Sequence, residues 1–324
     1  MVVTTNDEIF FNHVKLRSHK TLSPENLRRI NELAAYTFSG LLSALQGFET
    51  SSCISRELRS DLPMSRITVY SKLLKCWESE LRSEVRLIKP SERVVNLIDL
   101  YVGKYIISDL IGVVSAGVKE TIYLDTSIAE FLKTDREVGE VISAISRKGS
   151  TYNLISSVLR DYRKVKIREL DVGEFSRKLS ASYFRGLKNT LKELNISSYG
   201  LRCVEFLEEF EELKPRLRKA LIEGRDLRSI ATPLTQKQRE VVLRTSKNIH
   251  DFEYVLSVLP TYFCHSMLKS LPISADILLD YLLLKEVEFS LLSYVIYLVN
   301  TGYSADLIKE EIGRWLRLYE SITE

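Results

Sequence analysis

The chain has 324 residues, 45% of them hydrophobic and 27% charged, which excludes a disordered or fibrous polymer and leaves room for two or three buried cores. A formal charge of +3 and a pI near 8.5 fall short of the strong basic imbalance that marks most nucleic-acid proteins.

From the N-terminus, Met1 to Phe11 carries Asp7 and Glu8 where a secretory leader carries basic residues ahead of an apolar run, so export is not expected. Ser23 followed by Pro24 predicts a capped helix start. Leu27, Ile30, Ala34, Phe38, Leu41 and Leu45 then recur at helical steps, which predicts one amphipathic helix ending at Gly47. A second helix is predicted from Ser91 to Ala116, on a stripe that includes Val94, Leu97, Tyr101, Leu110 and Val114. The same periodicity predicts helices over Ile128–Lys148, Tyr152–Tyr162, Val172–Leu194, Leu201–Leu213, Pro215–Glu223, Thr235–Leu259, Ala275–Val299 and Ser304–Tyr319. Glu120–Leu124 and Val165–Leu170 are short strand-like runs with no hairpin partner. With only seven prolines and 13 glycines, the chain lacks the turn signals of a sheet protein, and the predicted class is all-α. The uncharged run between Glu288 and Asp306 contains Ser290, Ser293, Asn300, Thr301 and Gly302, so it reads as a buried helix and turn; any membrane contact is expected to be peripheral.

Chemical motifs are sparse. Gly112-Val113-Val114-Ser115-Ala116-Gly117 has the glycine spacing of a phosphate loop, but Val118 precedes Lys119 and Glu120 precedes Thr121, and a helix rather than a strand leads into it. Asp276 and Asp280 stand four apart on one helix, as metal-binding carboxylates do. No second acidic cluster accompanies them, so they read as a solvated face. His13, His19, His250 and His265 form no metal-ligand spacing, and no Gly-x-Ser-x-Gly elbow is present. Cys53, Cys76, Cys203 and Cys264 are scattered with no CxxC pair, which reads as neither a zinc site nor a disulfide framework but as a reducing, cytoplasmic setting. Arg160, Arg163, Lys164, Lys166 and Arg168 form the one notable basic cluster, interleaved with Asp161, Tyr162 and Glu169. No catalytic, cofactor-binding or metal residue is assigned.

Internal similarity is weak but ordered. An acidic or polar position, a leucine, a hydrophobic run and a closing glycine recur as Asp109-Leu110 to Gly117, Glu212-Leu213 to Gly224, and Leu291-Leu292 to Gly302. This order predicts three related helical modules, at about 1–124, 125–229 and 230–324. The last copy is more specific. Tyr281-Leu282-Leu283-Leu284-Lys285-Glu286-Val287-Glu288-Phe289, then Leu292, Ile296 and Gly302, then Asp306-Leu307-Ile308-Lys309-Glu310-Glu311-Ile312, resembles the closing helical hairpin of the C-type central-stalk component of A-type and V-type ATPases (ATP synthases), the homologue of the d-type component of the eukaryotic V-ATPase. Glu174, Leu179, Ser182, Tyr183, Phe184 and Leu187 are similar to that family's middle signature.

The resemblance implies three helical modules in a funnel about a pseudo-three-fold axis. It also implies a non-catalytic central-stalk component on the cytoplasmic face of the membrane. Its partners would be the axle of the soluble head and the ion-translocating rotor ring, with no cofactor, small-molecule substrate or nucleic acid. The alternative is a helical scaffold binding nucleic acid or protein through Arg160–Arg168.

Overall fold

In the computed structural model the described residues are 5–21, 24–32, 37–58, 64–116, 121–124, 137–140 and 150–323. Among them the regular structure is helical, with no β-strand and a single isolated bridge pairing Glu137 with Lys166. The all-α expectation therefore holds for the described residues. The chain divides into two compact units, Met1–Asp7 with Glu84–Ile196, and Glu8–Ser83 with Ser197–Glu324.

The first unit is built around α6 (Glu92–Ala116), α7 (Ser150–Leu159) and α8 (Val172–Glu193). Tyr101 and Tyr105 on α6, Ile155 on α7, and Phe175, Leu179 and Leu191 on α8 are buried. At Gly186 on α8, α6 and α7 both come near: a Cβ there would stand 3.1 Å from Leu154 and 3.7 Å from Leu100. Asp171 caps α8 by accepting from Glu174 N at 2.9 Å, and Asn195, at φ 56°, ends it as Ile196 N returns to Leu191 O at 3.1 Å. After α7 the chain passes through two 3₁₀ turns, Arg160–Tyr162 and Ile167–Glu169. The strand-like run Val165–Leu170 is thus a turn: Val165 O accepts from Val138 N and Arg163 O from Gly139 N, both at 3.0 Å. At the other such run, the Asp109 carboxylate takes the backbone N–H groups of Ile122, Tyr123 and Leu124, which folds the segment over the end of α6 instead of extending it. Of the predicted 128–148 helix only residues 137–140 are described, and Gly117–Glu120 of the glycine-spaced loop also lie outside the described residues.

The second unit gathers most of α1 (Thr5–Ser18), α2 (Pro24–Asn31), α3 (Phe38–Ala44), α4 (Ser51–Glu57) and most of α5 (Arg66–Ile88) with the C-terminal helices. Those are α9 (Ser198–Ile222), α10 (Leu227–Ile230), α11 (Gln236–Thr245), α12 (Ile249–Leu268), α13 (Ala275–Asn300) and α14 (Ala305–Thr323). The longest, α13, packs against α12 and α14, and α9 and α11 pack on α12.

The helices α1, α4 and α5 are not among those predicted, and at three places predicted helices divide or join differently because side-chain caps or tertiary packing outweigh periodicity. The helix predicted from Pro24 to Gly47 is two: Thr37 is extended (φ −98°, ψ 158°) and caps α3 by accepting from Gly40 N at 3.1 Å. The helix predicted from Thr235 to Leu259 is also two, because Asn248 Oδ1 accepts from His250 N at 2.9 Å and starts α12. Conversely, Pro215 starts no new helix. It lies inside α9, whose Leu213 and Leu217 on either side of the ring are buried, so packing offsets the roughly 3 kcal/mol that an interior proline costs.

No described helix is long and apolar enough to cross a membrane. All four cysteines pair, Cys53 with Cys76 and Cys203 with Cys264, which overturns the reading of scattered, unpaired thiols. The packing of α4 on α5 and of α9 on α12 brings the sulfurs together, and spacing along the chain carries no trace of that. The argument for a reducing compartment loses its premise.

Candidate functional site

The Tyr281–Glu288 stem occupies the middle of α13, and its Tyr281, Lys285 and Glu288 are buried. Lys285 is 0% exposed and Glu288 1%, so their charges have no access to bulk water. An isolated buried charge is prohibitive, and each therefore finds a counter-ion. Lys285 Nζ sits 2.8 Å from Glu288 Oε2, one turn away, and 2.9 Å from Glu49 Oε2 on the turn before α4. Glu49 also pairs with the guanidinium of Arg17 on α1, and Thr50 donates its hydroxyl to Glu288. Two cations thus face two carboxylates, and the cluster is neutral as a whole.

Aromatic groups extend it. Trp77 Nε1 on α5 donates to Tyr281 Oη at 2.8 Å, and Tyr281 donates in turn to Glu49 at 2.5 Å. The indole also meets Phe289 edge-on, with ring centroids 5.6 Å apart. Burial alone would push the Glu49 carboxyl up, but the charges of Lys285 and Arg17 and the hydrogen bonds from Tyr281 and Lys285 outweigh it and hold the carboxyl below its usual 4.5. Burial first, and the Glu49 charge second, raise Tyr281 well above its usual 10, so its hydroxyl stays protonated and keeps donating.

The N-terminal turns of α13 form a second buried set. Asp276, 2% exposed, accepts from Ser197 N at 3.1 Å, Ser197 Oγ at 2.7 Å and Ser274 Oγ at 2.9 Å. Asp280, 8% exposed, lies 2.9 Å from His265 Nδ1 on α12. These carboxylates are not a solvated face, as their spacing suggested: protein donors fill them, and they tie α13 to the start of α9 and to α12.

At its far end α13 stops in a Schellman cap. Gly302 takes φ 74°, Gly302 N bonds Val299 O, and Tyr303 N bonds Leu298 O, both at 3.2 Å. The chain then returns as α14, with Ile308 and Ile312 fully buried and Trp315 stacked on Tyr294 at 5.8 Å. Arg314 Nε reaches Asp251 on α12 at 3.3 Å.

The sequence reading found Tyr281, Lys285 and Glu288 but not Glu49, Thr50 or Trp77. For Trp77 a signal existed: Val69, Leu73, Trp77 and Leu81 recur every four residues, after a Ser65 whose Oγ accepts from Thr68 N at 3.1 Å. Glu49 and Thr50 lie 232 and 238 residues before the Tyr281 and Glu288 to which they bond, and nothing local marks them. In the basic cluster, Arg160, Arg163, Lys164 and Arg168 are exposed, while Tyr162 is buried against Phe175.

No protein-family model, no curated protein and no solved structure matches the chain.

Proposed function

We propose that the chain is a non-catalytic central-stalk adaptor of an A/V-type rotary ATPase, joining the axle of the soluble head to the ion-translocating ring. The observation that carries this reading is the α13–α14 hairpin. Its stem, which resembles the family's closing hairpin, is also braced by buried ion pairs and hydrogen bonds. A part that passes torque must not yield, and charges locked in a dry network, inside close-packed helices, resist sliding better than apolar contact alone. Binding would use helix surfaces, and no group of the hairpin needs to be reactive.

Two of the three glycines of the repeated pattern end their helices in the same way. Gly224, at φ 65°, ends α9 with the same cap as Gly302: Arg225 N bonds Ala220 O at 2.9 Å and Gly224 N bonds Leu221 O at 3.3 Å. The three leucines of the pattern, Leu110, Leu213 and Leu292, are all buried. Attachment to the membrane would come through the ring, on its cytoplasmic face.

Co-purification is the test. Mild detergent extracts of source membranes, pulled down through a tag on this chain, should yield components of the ATPase head and of the ring together. Recovery of the chain without either removes the proposal.

The exposure of Arg160, Arg163, Lys164 and Arg168 favours one second reading, a scaffold contacting nucleic-acid phosphates. In that case the logarithm of DNA affinity falls linearly with the logarithm of salt concentration, and substituting these four residues by alanine flattens the slope.

A further inference from the structure

The two disulfides of the second unit have different surroundings. Cys203 and Cys264 are both 0% exposed, sealed between α9 and α12. Cys76, by contrast, is 5% exposed and lines an open cleft of about 400 Å³ between α4 and α5, while its partner Cys53 is 0% exposed. Of the two sulfurs, Cys76 is the one on the cleft side.

The walls of that cleft are charged. Arg56, Lys72 and Lys75 face Glu57 and Glu80, an excess of one cation. Lys72 Nζ is anchored on Glu57 O at 3.0 Å, and the Arg56 guanidinium lies against Cys76 Sγ while reaching Glu80 at 3.4 Å. A guanidinium beside Cys76 Sγ attracts an incoming thiolate to that sulfur, and thiolates are the attacking species in exchange. The sulfurs of Cys53 and Cys76 and the Glu80 carboxylate lie within 4.8 Å of one another, but a metal ion could use them only with the disulfide open and the Arg56 cation displaced.

We propose that Cys76 is a site of reversible S-thiolation by small anionic thiols, with Cys53 as its resolving partner. In the forward step the incoming thiolate sulfur bonds to Cys76 Sγ as the Cys76–Cys53 bond breaks; the electron pair leaves on Cys53, which takes a proton from solvent. In the reverse step the Cys53 thiolate attacks Cys76 Sγ and expels the small thiol, restoring the disulfide. Both steps are exchanges between thiol and disulfide, so no further oxidant or reductant enters. The cation excess selects for negative charge on the incoming thiol, and the burial of Cys53 directs attack to Cys76.

The experiment incubates the folded full-length chain with 2-mercaptoethanesulfonate or with cysteamine at equal thiolate concentration, quenches with acid and maps mixed disulfides by peptide mass. The expected adduct is on Cys76, forming about fivefold faster with the sulfonate thiol, because local charge steers the approach of small ions. In the Lys75→Ala variant, which leaves two cations facing two carboxylates, the two rates should converge, and Arg56→Leu should slow both. Adducts chiefly on Cys53, equal labelling of Cys203 or Cys264, no adduct at all, or equal rates for the two thiols in the wild-type chain would each overturn the proposal. The wild-type comparison stands even if a variant fails to fold.

Discussion

Lys285 has no exposed surface, and its ammonium is tolerable only because Glu49 and Glu288 stand within 3 Å of it. Removing the cation leaves two carboxylates with Arg17 as the remaining positive partner. Lys285→Met should therefore lower unfolding free energy by about 3–5 kcal/mol in urea titration, and adding Glu288→Leu should recover part of the loss. Additive losses in the double variant would show that the pair is not coupled. The same cluster sets a pH dependence. Glu49 is held below 4.5 in the folded chain, so the folded state binds fewer protons than the unfolded one near that pH. The stability it contributes is complete above about 4.5 and drains away as the pH falls through the lower folded value. Glu49→Gln should be less stable at neutral pH but lose less on acidification below 4.5; an unchanged acid slope would contradict this assignment.

Helix termini decide the next level. Gly302 sits at φ 74°, where a side chain is strained, whereas Gly313 is inside α14 and a Cβ there meets only the flexible end of Arg317 at 3.4 Å. Gly302→Ala should therefore cost about 1–2 kcal/mol, and Gly313→Ala should be neutral or gain about 0.5–1 kcal/mol. Thermal melts of the two variants separate these outcomes, and equal shifts would mean the turn is not fixed by the glycine. At the opposite end of α13, Asp276→Ala removes three hydrogen bonds that tie the helix to Ser197 and Ser274, a loss of about 2–4 kcal/mol. Caps also explain the boundary errors. The apolar period runs straight through residues 24–47 and 235–259, but Thr37 and Asn248 can satisfy backbone N–H groups and restart a helix.

At the scale of the whole chain, both cross-links fall in one of the two compact units. Closing sequence separations of 23 and 61 residues restricts the unfolded chain by about 3 and about 4 kcal/mol respectively. Full reduction should raise amide hydrogen exchange in α4, α9 and α12, while α6 and α8, in the other unit, keep their protection. Equal loss of protection in α6 and α8 would mean that the cross-links stabilise both units together.

The all-α class, the approximate course of α6, α8, α13 and α14, and the turn at Gly302 were legible in the sequence, because period, caps and glycine act over a few residues. The hairpin that carries the proposed function was legible for the same reason. Only the tertiary structure decided that Asp276, Asp280, Lys285 and Glu288 face inward, because charged residues at helical spacing look the same on a wet face and a dry one. It alone paired Cys53 with Cys76 and Cys203 with Cys264, and it alone brought Arg17, Glu49 and Trp77 to Tyr281. Those partners meet through folding across long stretches of chain, and no local pattern of residues encodes a long-range contact.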